Sequence, residues 1–242
     1  MSFTLEIIAF DIESCRTIGR AGAHRIELCD NPGDGGTTAS AGMIRQARKL
    51  TDLPLFPIIR PRGGDFLYND DEYSIMKEDI RICRAEGCDG IVTGILTPDG
   101  GVDCERMARL TELAYPMDVT FHRAFDRTAD PLQALEDVIR TGCTRILTSG
   151  QQKTAPEGAS LINQLISAAE DRIIIMPGSG VRSDNICQLA RETGAVEFHS
   201  SARRTKNGNM SFQHPVLSAD SGIVTADEQE IRQLLEQLSQ LS

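Results

Sequence analysis

Apolar positions along this chain alternate between two rhythms. Stretches with a helical repeat lead, again and again, into short runs dominated by apolar residues. Four of these joins share one form: a glycine, a small or thiol residue, one or two polar residues, then the apolar run. They are Gly22-Ala23-His24-Arg25-Ile26-Glu27-Leu28-Cys29, Gly87-Cys88-Asp89-Gly90-Ile91-Val92-Thr93-Gly94, Gly142-Cys143-Thr144-Arg145-Ile146-Leu147-Thr148-Ser149 and Gly194-Ala195-Val196-Glu197-Phe198-His199-Ser200. A glycine in that place ends a helix in the left-handed region, and the run behind it reads as a strand. Successive glycines are 65, 55 and 52 residues apart, too far for one βα unit and about right for two. The four joins therefore predict strands two, four, six and eight of an eight-stranded parallel (β/α)8 TIM barrel, whose chemistry belongs at the C-terminal ends of its strands.

The strand candidates are residues 5–10, 25–29, 55–60, 90–94, 119–123, 145–149, 173–177 and 197–200. Helical stretches separate them, and a last one over 227–241 carries an apolar stripe at Ile231, Leu234, Leu235, Leu238 and Leu241. Ser40 and Ser183 are expected N-caps, and Asp130-Pro131 is a cap followed by proline at the first helical position. Two long loops, 30–39 and 203–225, fall on the same face; in a compact barrel loops of that length are usually functional lids, interface segments or locally disordered. Period-two alternation points Glu6, Ile8, Phe10, Arg25, Glu27, Cys29, Ile58, Arg60, Thr120, His122, Glu197, His199 and Ser201 into the barrel. Charges in such a place must pair with one another or ring a solvated mouth.

With 242 residues the chain suits one barrel domain spanning 1–242. A net charge of −10 disfavours nucleic acid and anionic membranes. No run approaches a membrane span and no signal-peptide profile opens the chain, so a cytoplasmic protein with seven reduced cysteines is expected. No CxxC pair occurs, which disfavours a structural zinc site.

The strand ends supply the candidate chemistry. Ile59-Arg60-Pro61-Arg62-Gly63-Gly64-Asp65-Phe66 sets two guanidinium groups at a turn, a fork of donors for carboxylate or phosphate unless they pair with Glu27 or Asp65. His122 closes strand five, with Asp126 near enough in sequence to orient it as a general acid or base. Gly178 and Gly180 follow strand seven, and Ser201 and Arg203 follow strand eight, where barrel enzymes habitually hold phosphate. One expectation is thus an enzyme for a small anionic metabolite. Arg60, Arg62, Gly178, Gly180, Ser201 and Arg203 would bind the anion, and His122 with Glu27 or Glu197 would move protons. The other expectation is a metal site: Cys29, His122, His199 and Met176 offer the thiolate, imidazole and thioether ligands that suit Cu(I), although no local ligand spacing joins them.

Taken in order, Arg25-Ile26-Glu27-Leu28-Cys29-Asp30-Asn31 with Gly35-Gly36-Thr37-Thr38, IRPRGGDF, Thr97-Pro98-Asp99-Gly100, FHRAFD, Leu147-Thr148-Ser149-Gly150, MPGSGV and FHSSAR resemble the copper homeostasis protein CutC family from about Leu5 to Arg203. The resemblance implies a cytosolic TIM barrel, often a homo-oligomer, named for copper tolerance and reported to bind Cu(I). Many members carry a cysteine in a Glu-x-Cys segment of strand one, where this chain has Glu6-Ile7-Ile8. With that thiol replaced by Ile8, copper binding is expected to be weak, and the mouth is expected to favour a small anionic ligand.

Overall fold

The computed structural model describes residues 3–212, 216 and 222–241. Eight parallel strands alternate with eight helices in the order β1 (Thr4–Ala9), α1 (Ile12–Ala21), β2 (Arg25–Leu28), α2 (Ala41–Leu50), β3 (Leu55–Pro57), α3 (Asp70–Ala85), β4 (Gly90–Thr93), α4 (Cys104–Ala114), β5 (Asp118–Phe121), α5 (Pro131–Arg140), β6 (Arg145–Thr148), α6 (Ala159–Ala169), β7 (Ile174–Pro177), α7 (Ile186–Thr193) and β8 (Glu197–Ser200). A hairpin of β9 (Arg203–Asn207) and β10 (Gly222–Ala226) follows, then α8 (Glu228–Ser239). The ladders run β3-β2-β1-β8 and β4-β5-β6-β7. Between β3 and β4, Ile59 donates to the Val92 carbonyl at 2.7 Å and Asp89 to that of Leu55 at 3.1 Å, while β7 lies beside β8. This is the predicted (β/α)8 arrangement.

Each recurrent glycine does what the pattern asked: Gly22, Gly87, Gly142 and Gly194 have φ between 76° and 91° and end α1, α3, α5 and α7. The strands then bury Ile7, Ile26, Leu28, Ile91, Val119, Phe121, Ile146, Ile175 and Phe198 in the main apolar core. Each such side chain contributes about 1.5–3 kcal/mol on full burial. Ser40 caps α2 by accepting from the Met43 N–H, and Asp130 caps α5 by accepting from Leu132 and Gln133.

Four local expectations need correction. Ser183 caps nothing: α7 starts after Asn185, and Ser183 donates through N–H and hydroxyl to Glu230, tying this turn to α8. The segment 203–225 is not simply a loop, because its two ends pair as the antiparallel β9–β10 hairpin; residues 213–215 and 217–221 lie outside the described residues. The third strand's ladder stops at Pro57, beyond which Ile58 bridges to Val92 and the chain leans toward β4. The fifth strand stops at Phe121 because His122 accepts the Ala124 N–H and opens a 3-10 turn over Arg123–Arg127.

Candidate functional site

Two layers of polar side chains fill the barrel. The lower layer is a closed ion-pair network. Arg25 donates to Glu6 at 2.5 Å and to Glu197 at 2.7 Å, and Arg145 meets Glu197 at 2.7 Å. The Phe56 ring lies under both guanidinium groups, 5.1 Å from Arg25 and 5.7 Å from Arg145. Gly90 makes this stacking fit, since a Cβ there would sit 2.2 Å from the Phe56 ring. His199 Nδ1 meets Glu6 at 2.8 Å, and its Nε2 lies 3.7 Å from Glu27. Burial opposes the charged forms here, yet Arg25 and His199 together hold the Glu6 carboxyl down at about 2. Burial would likewise lower His199, but Glu6 and Glu27 outweigh it and raise the imidazole. Glu27 is the exception: burial and the neighbouring Glu6 outweigh His199 and push it up to about 7.

Above this floor opens a cavity of about 230 Å³, lined by Glu27 and His199 below and by Arg60, His122, Phe66, Arg123, Ser179, Gly180, Ser201 and Arg203 around the mouth. Apolar side chains from Ile8, Phe10, Ile58 and Leu147 fill the remaining wall. Arg60 stitches the two neighbouring loops together, donating to the carbonyls of Asp34, Gly36 and Gly64 at 2.7, 2.8 and 3.0 Å. His122 fits because position 94 is glycine; a Cβ there would lie 2.6 Å from its Nδ1. Burial, reinforced by Arg60, depresses the His122 imidazole to about 3, so it is neutral at physiological pH.

The sequence-level candidates sort clearly by position. Arg60, Gly180, Ser201 and Arg203 line one cavity together with His122 and Glu27. Arg62 does not join them: it bonds Glu72 at 2.6 Å and stacks on Tyr68, bracing the start of α3. The Gly178 N–H donates to the Thr148 carbonyl, and its bare Cα leaves room for Leu147 and His199, so it is a packing glycine. Glu197 belongs to the floor, bound by Arg25 and Arg145. Asp126 does not orient His122, because it accepts from Thr148, Ser149, Gln151 and Arg123 instead.

The four soft donors do not gather into one cage. Cys29 packs among Ile8, Phe56, Ile58 and Val92, and burial with the nearby Glu27 pushes its thiol well above the usual range. Met176 Sδ accepts from Arg25 at 3.2 Å, and His199 is held by Glu6. Among the described residues, the metal-type cluster that does form is Glu6, Glu27 and His199, with donor atoms within 4.8 Å of one another. Carboxylate-rich sets favour harder cations than Cu(I), and Arg25 already engages Glu6. Sequence reasoning passed over Arg145, although its inward parity in β6 was readable. It also passed over Phe66, whose loop position carries no alternation signal.

Comparison with known proteins places this architecture. The CutC family model matches residues 3–204. A family protein CutC of Chromobacterium violaceum is 53% identical over 203 residues, 84% of this chain and 82% of that protein. The human copper homeostasis protein cutC homolog is 45% identical, covering 88% of this chain and 78% of its own. A CutC crystal structure from Streptococcus agalactiae superposes with a TM-score of 0.79 at 34% identity, over 82% of this chain and 98% of that one.

Proposed function

We propose, from the premise that this chain belongs to the CutC family, that it serves copper homeostasis and does so through the cavity at its barrel mouth. One observation carries the reading: the matched residues, 3–204, include all eight barrel strands and every side chain lining that cavity. The donor set argues for the form of the role. With Met176 and His199 engaged elsewhere and Ile8 in place of a second thiol, Cys29 offers at most weak Cu(I) binding. The same reading takes the protein as cytoplasmic and homo-oligomeric. Among the described residues, no helix is long and apolar enough to cross a membrane.

Copper tolerance tests the role directly. Expression in a copper-sensitised bacterial host should restore growth on copper, and failure to do so at normal protein levels would remove the proposal. Competition against a Cu(I) chelator tests its form. Weak binding is expected; stoichiometric binding abolished by Cys29→Ser would show a cage that the geometry does not predict.

A second reading, acid–base chemistry on a small anionic metabolite, is favoured by a separate observation. The side chains of Glu27, His122 and Arg60 line one cavity, and burial together with Glu6 raises the Glu27 carboxyl toward neutrality. A carboxyl poised near the working pH is the usual equipment for proton transfer.

A further inference from the structure

Among the described residues, three buried side-chain polar atoms have no hydrogen-bond partner: Arg60 Nε, His122 Nε2 and the Tyr68 hydroxyl. Native interiors leave such atoms rarely, because each costs roughly 1–3 kcal/mol. Here they collect in one place. The Tyr68 hydroxyl lies against the Arg60 guanidinium, close enough for that charge to act on it, and neither it nor Arg60 Nε completes a hydrogen bond. Arg60 and His122 both pack on Phe66, at 4.9 and 4.8 Å from its ring centroid. Both residues also line the mouth cavity, with only 5% and 4% of their surfaces exposed.

The His122 proton can be placed. Nδ1 accepts the Ala124 N–H at 3.2 Å, so in the neutral ring the proton sits on Nε2. The two unpartnered atoms on these wall residues are therefore both donors, one on a cation and one on a neutral ring, and neither completes a hydrogen bond. The Phe66 ring lies against both groups, and the chain around it turns through Gly63 and Gly64.

We propose that the mouth cavity binds a compact organic monocarboxylate, its oxygens held by Arg60 Nε–H and His122 Nε2–H once the Phe66 ring swings aside. This rests on the second reading above, that the mouth serves a small anion, and names the class of that anion. Arg123 and Arg203 also line the mouth, so the two unmatched donors set the class: Arg60 Nε–H and His122 Nε2–H are two single N–H groups, a match for the two oxygens of one carboxylate. The apolar wall of Ile8, Phe10, Ile58 and Leu147 suits a short carbon skeleton.

Calorimetry with acetate, pyruvate and inorganic phosphate tests this. Saturable binding of acetate or pyruvate is expected, weakened about tenfold or more by Arg60→Met, the scale of one charge-assisted hydrogen bond. His122→Phe, which leaves the Arg60 loop anchors in place, should weaken it severalfold. The chain has no tryptophan, so Phe66→Trp gives a single tryptophan, excited selectively over the tyrosines, whose emission should shift on ligand addition. Saturable carboxylate binding unchanged by Arg60→Met and His122→Phe but lost in Arg203→Met would overturn this inference while leaving the anion reading standing. Phosphate binding alone, lost in the Arg60 variant, would overturn the carboxylate assignment. No saturable binding of any of the three would overturn both the inference and the reading beneath it.

Discussion

The floor and the mouth of this barrel are built from the same residue types, yet they are completed differently. On the floor, Arg25 and Arg145 are matched by Glu6 and Glu197 at 2.5–2.7 Å. At the mouth, Arg60 spends its terminal nitrogens on loop carbonyls and leaves Nε unmatched beside a neutral His122 with a free N–H. Burying a charge is tolerable only with partners. The floor supplies its own partners, so it reads as structure. The mouth holds donors in excess of acceptors, so it reads as half of an interaction whose other half arrives from outside. Counting buried charges would not separate the two layers; counting unmatched donors does.

The largest expected effect tests the claim that the floor is closed. Glu197→Ala leaves Arg145 with the Thr120 hydroxyl at 3.4 Å and the half-exposed Asp118 carboxylate at 3.8 Å, and takes one of two carboxylates from Arg25. Breaking a buried pair from one side costs about 3–5 kcal/mol, which urea denaturation would register as a large fall in midpoint. A loss under about 1 kcal/mol would mean that the floor is not a closed network, and the contrast with the mouth would collapse.

This contrast was half legible in the sequence. Strand alternation found Glu6, Arg25, Glu27, Arg60, His122, Glu197 and His199 because side-chain direction in a strand has a strict period of two. The same rule extended to Arg145. It could not say which charges pair, since that depends on register: Glu6 stands opposite Arg25 in one ladder and His199 in the other. Loop geometry was opaque for a different reason. Arg62 is one residue beyond Pro61 and turns outward to Glu72, while Asp126 is taken by amides and hydroxyls at the end of β6 and just beyond it. Neither outcome follows from any local repeat. Gly178 and Gly180 look alike in sequence, and only the neighbours His199 and Leu147 show that the first is there for packing.

A smaller effect, set by pH, locates the boundary between the layers at Glu27. Its folded carboxyl titrates at about 7, against an ordinary value of 4.5. Between those values the folded chain keeps a proton that the unfolded chain releases, so this group's contribution is full below about pH 4.5 and is lost as pH rises through 7. Glu27→Gln removes the titration but retains the shape. The stability of the parent relative to the variant should therefore fall by an amount on the order of 1–3 kcal/mol between pH 4.5 and 7.5. Urea midpoints for both proteins across that range would check the sign. A parent that gains on the variant as pH rises would place Glu27 with the paired floor, alongside Glu6.

The smallest expected change in stability at neutral pH belongs to His122→Phe. The substitution removes a buried N–H that has no partner, which stabilises, and it removes the acceptor for the Ala124 N–H, which costs about 1 kcal/mol. The ring keeps its edge against Phe66, and Gly94 still leaves the space on its other side. These terms nearly cancel, so the variant should lie within about 1 kcal/mol of the parent at pH 7. Acid should separate them. The parent imidazole is held at about 3 when folded and rises to its ordinary 6.5 when unfolded, so its contribution is present above 6.5 and is lost as pH falls toward 3. The variant lacks this loss and should gain on the parent throughout that window. A neutral-pH cost as large as that of Glu197→Ala would show that His122 is as fully engaged as the floor, and that its free N–H is not an invitation to a ligand.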